Sequence, residues 1–112
     1  MTDTTVKKID SAHAPRGTMG QTYLVSSVDL SMRLWDSEPT STPPAPSSRA
    51  YETVGYVLNG RARLECEGQT LLLEPGNAWV VPVGAMHEYH ILEPFTALEV
   101  THPPAHLHDR DR

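Results

Sequence analysis

Nine Lys and Arg against fourteen Asp and Glu give this 112-residue chain a formal net charge of −5. That balance argues against nucleic acid or an anionic membrane as partner, because either favours clustered basic side chains. A lone cysteine, Cys66, excludes an intrachain disulfide, no apolar run approaches the ~20 residues of a membrane span, and the opening MTDTTVKKID lacks a signal peptide's apolar stretch. The expectation is one cytoplasmic domain over residues 1–112, with a core at about 20–102 and a loose tail over 103–112. A domain of this size buries roughly two thirds of its extended-chain surface, so it needs no disulfide to fold.

Glycine and proline punctuate the chain and almost nothing reads as helix. TYLVSSVDLSMRLW, residues 22–35, is rich in β-branched, apolar and aromatic residues, much of it alternating. PTSTPPAPSS follows, a linker whose four prolines cannot join a central sheet. In YETVGYVLNGRARLECEG the pair Asn59-Gly60 predicts a tight hairpin, since a type I′ turn needs positive φ at both central residues. Beyond it Ala62, Leu64 and Cys66 alternate with Arg61, Arg63, Glu65 and Glu67, giving one buried face and one solvated one. Turns at Glu67-Gly68 and Pro75-Gly76 lead into QTLLLE and NAWVVP. HEYHILE and FTALEVT read as two more strands, separated at Glu93-Pro94. In the tail, His102, His106 and His108 offer only an opportunistic metal contact through His106-x-His108. Short strands at regular intervals predict an all-β fold, a sandwich or closed barrel with little or no helix, and exclude a βαβ nucleotide fold.

Two motifs resemble those of the cupins, a family of small antiparallel jelly-roll β-barrels. Gly76, Pro82, Gly84 and His87 fall on the family's second motif, G-x5-P-x-G-x2-H-x3-N, with Ile91 replacing its final Asn. Gly60 matches the glycine that closes the first motif, G-x5-H-x-H-x3or4-E-x6-G. Counting back from it, the carboxylate position holds Thr53, and the two histidine positions hold Pro46 and Ser48, or Ser47 and Arg49. Of the family's four usual metal ligands only His87 remains. Because mononuclear sites generally take three or more protein ligands, the expected metal set is none. No cofactor is expected. A divalent metal is the minor alternative, through a bulge that brings in Glu52 from one residue off register.

His87 is the expected proton carrier, since an imidazole ordinarily titrates near neutrality. Arg49, Tyr51 and Thr53 share a strand parity, and the resemblance places Thr53 in the barrel cavity. Tyr51 is then the second catalytic candidate, with Arg49 suited to a carboxylate or phosphate. Trp79 alternates with Val81, Trp35 or its neighbour Leu34 faces inward, and Met86 flanks the mouth, so Trp35, Trp79 and Met86 complete the expected ligand-binding set. His90, three residues past His87, belongs to the opposite face. Three functions fit. One is a small-molecule isomerase, epimerase or cyclase working by acid–base chemistry. The second is a non-catalytic binding or accessory module, and the third is a metal-dependent cupin enzyme with non-standard ligands. The resemblance also implies a homodimer paired through the apolar 22–35 stretch, with a small molecule as the other partner.

Overall fold

The computed structural model describes residues 5–17, 20–40 and 46–105. After a single 3-10 turn, Ser11–His13, come six strands: β1 Thr22–Ser26, β2 Ser31–Glu38, β3 Glu52–Cys66, β4 Gln69–Leu73, β5 Ala78–Val81 and β6 His87–His102. Every pairing is antiparallel, in the order β1-β2-β6-β3-β4, with β5 also on β3. The result is the small antiparallel barrel expected of the sequence. Among the described residues no helix is long and apolar enough to cross a membrane.

The two long strands organise everything else. The first half of β3 pairs with the last half of β6 (Thr53 with Thr101, Val57 with Ala97), and its second half pairs with the start of β6 (Leu64 with Tyr89, Cys66 with His87). Both strands therefore run through the whole of the single six-stranded sheet, creased where the register shifts between Val57 and Ala62. Here the sequence reading is corrected: Asn59-Gly60 is not a hairpin. Gly60 takes a φ of 80° and its N–H is received by the Asn59 side chain, but Asn59 stays out of the left-handed region that a type I′ turn requires. The pair forms a bulge within one continuous strand, a use of left-handed glycine that competes with the turn. A Cβ on Gly60 would lie 1.9 Å from the Pro94 carbonyl oxygen. Likewise Glu93-Pro94 does not separate two strands; it is where β6 bends opposite that bulge.

Residues 22–35, the stretch read as β-rich and largely alternating, form a hairpin of β1 and the first part of β2. The Ser27 N–H donates to the Leu30 carbonyl at 2.8 Å and the Leu30 N–H returns to Ser27 Oγ at 3.1 Å. Serine and aspartate turn chemistry overrides the apolar pattern there. The tail is also held further than expected: Pro104 and Ala105 are buried, and the Ala105 N–H donates to Ser31 Oγ and Thr101 Oγ1, each at 3.0 Å. His106 and His108 lie outside the described residues.

The bulge reverses which residues point inward along β3 and the residue ahead of it: Tyr51, Thr53 and Val57 before the bulge, Ala62 and Leu64 after it. With Trp79, Val81, Phe95 and Ala97 they fill the barrel. Arg61 and Arg63 stay on the outer face among Glu93, Glu74, Glu65 and His90. The outer face on the other side of the crease is different. Val80, Val54, Val100 and Met32 stand side by side across four strands, and Ala78, Tyr56, Leu98 and Leu34 form the next row. Val54, Tyr56, Leu58 and Val80 of this face are about half exposed, with Glu52 of the same parity at its border.

Candidate functional site

Two charged residues sit where the strand period calls for apolar ones. Arg33 of β2 and Glu99 of β6 are direct partners across the ladder, both facing inward and almost wholly buried. Residues opposite one another in an antiparallel pair are close enough for their side chains to meet. Arg33 Nε donates to Glu99 Oε1 at 2.7 Å, and the Trp35 indole N–H donates to the same oxygen. Arg33 Nη1 donates to the Tyr51 hydroxyl at 3.3 Å. The guanidinium also lies 5.3 Å from the ring centre of Trp35 and 5.4 Å from that of Tyr51, within cation–π range of both. A buried ion pair recovers its desolvation cost only when its geometry and extra hydrogen bonds are good, as they are here.

Above this network opens a cavity of about 140 Å³, whose wall includes Arg33, Trp35, Ser47, Arg49, Tyr51, Thr53, Val81, Pro82, His87 and Tyr89. The stretch after the proline linker is fastened to the wall. Ser47 and His87 exchange both backbone hydrogen bonds, at 3.0 and 2.9 Å, and the Gly84 N–H donates to the Arg49 carbonyl at 3.0 Å. His87 is thus fixed at its backbone. Its ring is fixed as well, because Nδ1 lies 2.9 Å from the Ala85 carbonyl oxygen. A carbonyl can only accept, so Nδ1 carries the hydrogen and Nε2 is the acceptor of the neutral ring. The imidazole stands edge-on to Tyr89, ring centres 5.6 Å apart. Tyr89 in turn receives the Trp79 indole N–H at 3.0 Å. Burial, and then the charge of Glu99, push its phenol well above the ordinary range, so it keeps its proton at any physiological pH.

Of the residues singled out in the sequence, His87, Tyr51, Arg49, Thr53 and Trp35 come together around this one cavity. Trp79 stands behind it in the core, with Tyr89 and Phe95 each 6.4 Å away between ring centres. Its ring lies over Gly55, its partner on β3, where a Cβ would come within 2.4 Å. Met86 is half exposed and borders a separate depression beside Glu65, Cys66 and Glu67. Glu52 is exposed, as its offset register dictates, and His90 is on the outer face against Arg63 at 3.1 Å. Cys66 is half-buried; burial first, and Glu67 second, raise its thiol above the usual range, which disfavours a nucleophilic role. Among the described residues no three His, Cys, Asp or Glu side chains gather into a metal-binding group.

Sequence reasoning missed Arg33, Glu99 and Tyr89. The signal was present in the strand period, since Arg33 shares the parity of Trp35, and Glu99 that of Phe95 and Ala97. One opposite charge on each of two buried faces is a pair waiting to be matched, but it names no partner until the strand order is known.

No curated protein is significantly similar to the chain. Solved structures are. KdgF from Halomonas sp. matches with a TM-score of 0.75 at 24% identity, over 89% of this chain and 94% of that one. An RmlC-like cupin from Shewanella frigidimarina NCIMB 400 gives 0.75 at 14% identity, covering 88% and 92%. A putative ethanolamine utilization protein Q from Salmonella typhimurium LT2 gives 0.66 at 24% identity, covering 88% and 86%. Identities this low show a common fold and nothing about activity. The family model described as a cupin domain matches residues 33–101, more than half of the chain. The barrel, the second motif ending on His87 and this match agree: the chain belongs to the cupin domain family.

Proposed function

We propose that this cupin binds a small molecule in the cavity beside His87 and carries out acid–base chemistry on it, as an isomerase, epimerase or cyclase. One observation carries the reading: a histidine held at both backbone and ring presents a single defined acceptor nitrogen beside a largely apolar cavity with a few polar side chains in its wall. His87 Nε2 takes a proton from a carbon next to a carbonyl and returns it to a neighbouring atom. Tyr51 steadies the developing oxyanion. Its oxygen accepts from Arg33 at 3.3 Å, which holds the hydroxyl in the cavity wall. Arg33, Glu99 and Trp35 set the position of Tyr51.

The reaction is proposed to run without a metal. Beside His87 the wall supplies the side chains of Ser47, Arg49 and Thr53, none of them a good ligand for a divalent cation, while Glu88 alternates with His87 and stands opposite Glu65 on the outer face. The direct test is hydrogen–deuterium exchange at the α-carbon of small oxo acids in deuterated water, followed by proton NMR. Exchange should be catalysed by the wild-type protein, survive a chelator and disappear in His87→Asn. Binding without exchange, or exchange that a chelator abolishes, would sink this reading.

We also propose a homodimer formed through the outer apolar face, with β2 contributing Met32 and Leu34. Rows of uncharged side chains on a flat sheet are self-complementary about a two-fold axis, and an exposed apolar patch of that kind marks an interface.

A further inference from the structure

We infer that the ligand of this cavity is a single flat ring of about six atoms whose hydroxyl donates to His87 Nε2, the enol of a cyclic ketone; the inference rests on the cavity being the functional site. The wall supplies flat surfaces. Trp35, Tyr51, His87 and Tyr89 all border the cavity, and Val81 and Pro82 add apolar area. Each of the four rings is pinned by a hydrogen bond. Trp35 donates its indole N–H to Glu99, Tyr51 accepts from Arg33 at 3.3 Å, Tyr89 accepts from Trp79 at 3.0 Å, and His87 donates to the Ala85 carbonyl at 2.9 Å. Their planes are set before a ligand arrives. A rigid slot favours a rigid, planar occupant, because neither side then loses much freedom on binding. Size limits that occupant to one ring: the cavity holds about 140 Å³, and an apolar space of about 150 Å³ accepts one benzene.

Hydrogen bonding gives the ring its substituent. With its Nδ1 hydrogen spent on Ala85, the neutral His87 ring offers only the lone pair of Nε2, and no hydrogen bond to that atom is formed among the described residues. A carboxylate is acceptor-only and would set lone pair against lone pair there. Nor do the arginines of the wall argue for an anion: Arg33 is matched by Glu99 at 2.7 Å, and Arg49 has an interaction of its own. What fits Nε2 is a hydrogen atom, first on carbon and then on oxygen. In a cyclic ketone Nε2 takes the hydrogen of the carbon next to the carbonyl. The C–H electron pair becomes the ring double bond, the carbonyl π pair moves to oxygen, and that oxygen takes the proton from Nε2–H. The product is an enol whose O–H points at Nε2. No oxidant, reductant or further reactant is consumed.

Phenol is the stable relative of such an enol and serves as the probe. The experiment titrates the full-length protein at about pH 7.5, where an ordinary imidazole is neutral, with phenol, anisole, benzoate and 2-propanol. The indole N–H of Trp35, a residue of the cavity wall, is the NMR reporter. Phenol should shift it and bind at least about tenfold more tightly than anisole, which lacks the donor, and than benzoate, which offers acceptors. 2-Propanol has the donor without the ring and should leave Trp35 unmoved at concentrations where phenol saturates. His87→Phe keeps a ring but removes the acceptor, and should cut the preference for phenol over anisole to below about twofold. Should that variant fail to fold, the wild-type series decides alone. Anisole or benzoate binding as well as phenol, an equal response to 2-propanol, a preference that survives His87→Phe, or no Trp35 response to phenol would each overturn the inference. In deuterated water, α-carbon exchange separates the two proposals. Exchange without the phenol preference sinks only the ligand class, and the preference without exchange on cyclohexanone or any oxo acid sinks only the catalysis.

Discussion

Glu99 faces Arg33 directly across the β2–β6 ladder and receives, on one oxygen, both the guanidinium Nε–H at 2.7 Å and the indole N–H of Trp35. Removing one member of so buried a pair leaves the other charged and unmatched. Glu99→Ala should therefore cost about 3–5 kcal/mol, measured by urea denaturation at constant pH. Arg33→Met combined with Glu99→Leu should recover most of that loss. A single-variant cost below about 1 kcal/mol would mean the pair is solvated.

The crease at Gly60 makes a sharper prediction about backbone than about side chains. Gly60 and Gly68 share nearly the same φ, 80° and 81°, but a Cβ would strike the Pro94 carbonyl at Gly60 and meet nothing within 4 Å at Gly68. Gly68→Ala should cost only the left-handed strain, about 1 kcal/mol, whereas Gly60→Ala should cost well over twice that. Equal losses in paired denaturation curves would show that β6 moves aside freely.

His87→Asn keeps a side-chain amide able to donate to the Ala85 carbonyl but has no nitrogen that can take up a proton. Stability should change by less than about 1 kcal/mol while α-carbon exchange falls by at least about 100-fold. A large loss of stability with exchange intact would recast His87 as a packing residue.

On the outer side of the β3–β6 ladder Glu88 stands opposite Glu65, and Arg63 opposite His90 forms the next pair. A hydrogen bond that the protonated Glu88 donates to Glu65, then desolvation and the Glu65 charge, raise Glu88 above its ordinary range, with Arg63 and His90 acting in the opposite direction. A carboxyl raised by folding contributes its stability below the unfolded value, near 4.3, and loses it as pH rises through the folded one. Glu88→Gln imitates the protonated group at every pH. It should melt above the wild type at pH ~7.5, and the gap should close towards about pH 4. A gap that widened on acidification would reverse the assignment.

Tyr56→Glu, at the centre of the outer apolar face, should convert the dimer to a monomer without unfolding the barrel, since a charge buried at an interface without a partner is costly. Light scattering after size exclusion reads this out. A wild-type chain already monomeric at micromolar concentration would remove the interface.

Much of the barrel was legible in residues alone. The period of two through Ala62, Leu64 and Cys66 assigned their face correctly, and the spacing from Gly76 to His87 placed that histidine on the cavity wall. Asn59-Gly60 misled because the same left-handed glycine serves a turn or a bulge, and only the partner strand, with Pro94 against it, decides between them. Trp79 misled for a related reason. Alternation sends it inward, but whether an inward residue meets the cavity or the core depends on its depth, which Gly55 sets from another strand. Arg33 and Glu99 are separated by 66 residues, and nothing local to either announces the other.

The crease shared by β3 and β6 has a mechanical consequence. Since each long strand is paired on both sides of the crease, neither half of the sheet can peel away while the other stays intact, and opening one end strips backbone bonds from the opposite end. Amide protons at Val57 and Leu64, on either side of the fold line, should exchange with solvent through one shared global event, with matching protection and matching sensitivity to denaturant. The barrel would then have no separately melting subunit of structure, and the cavity would last as long as the whole molecule does.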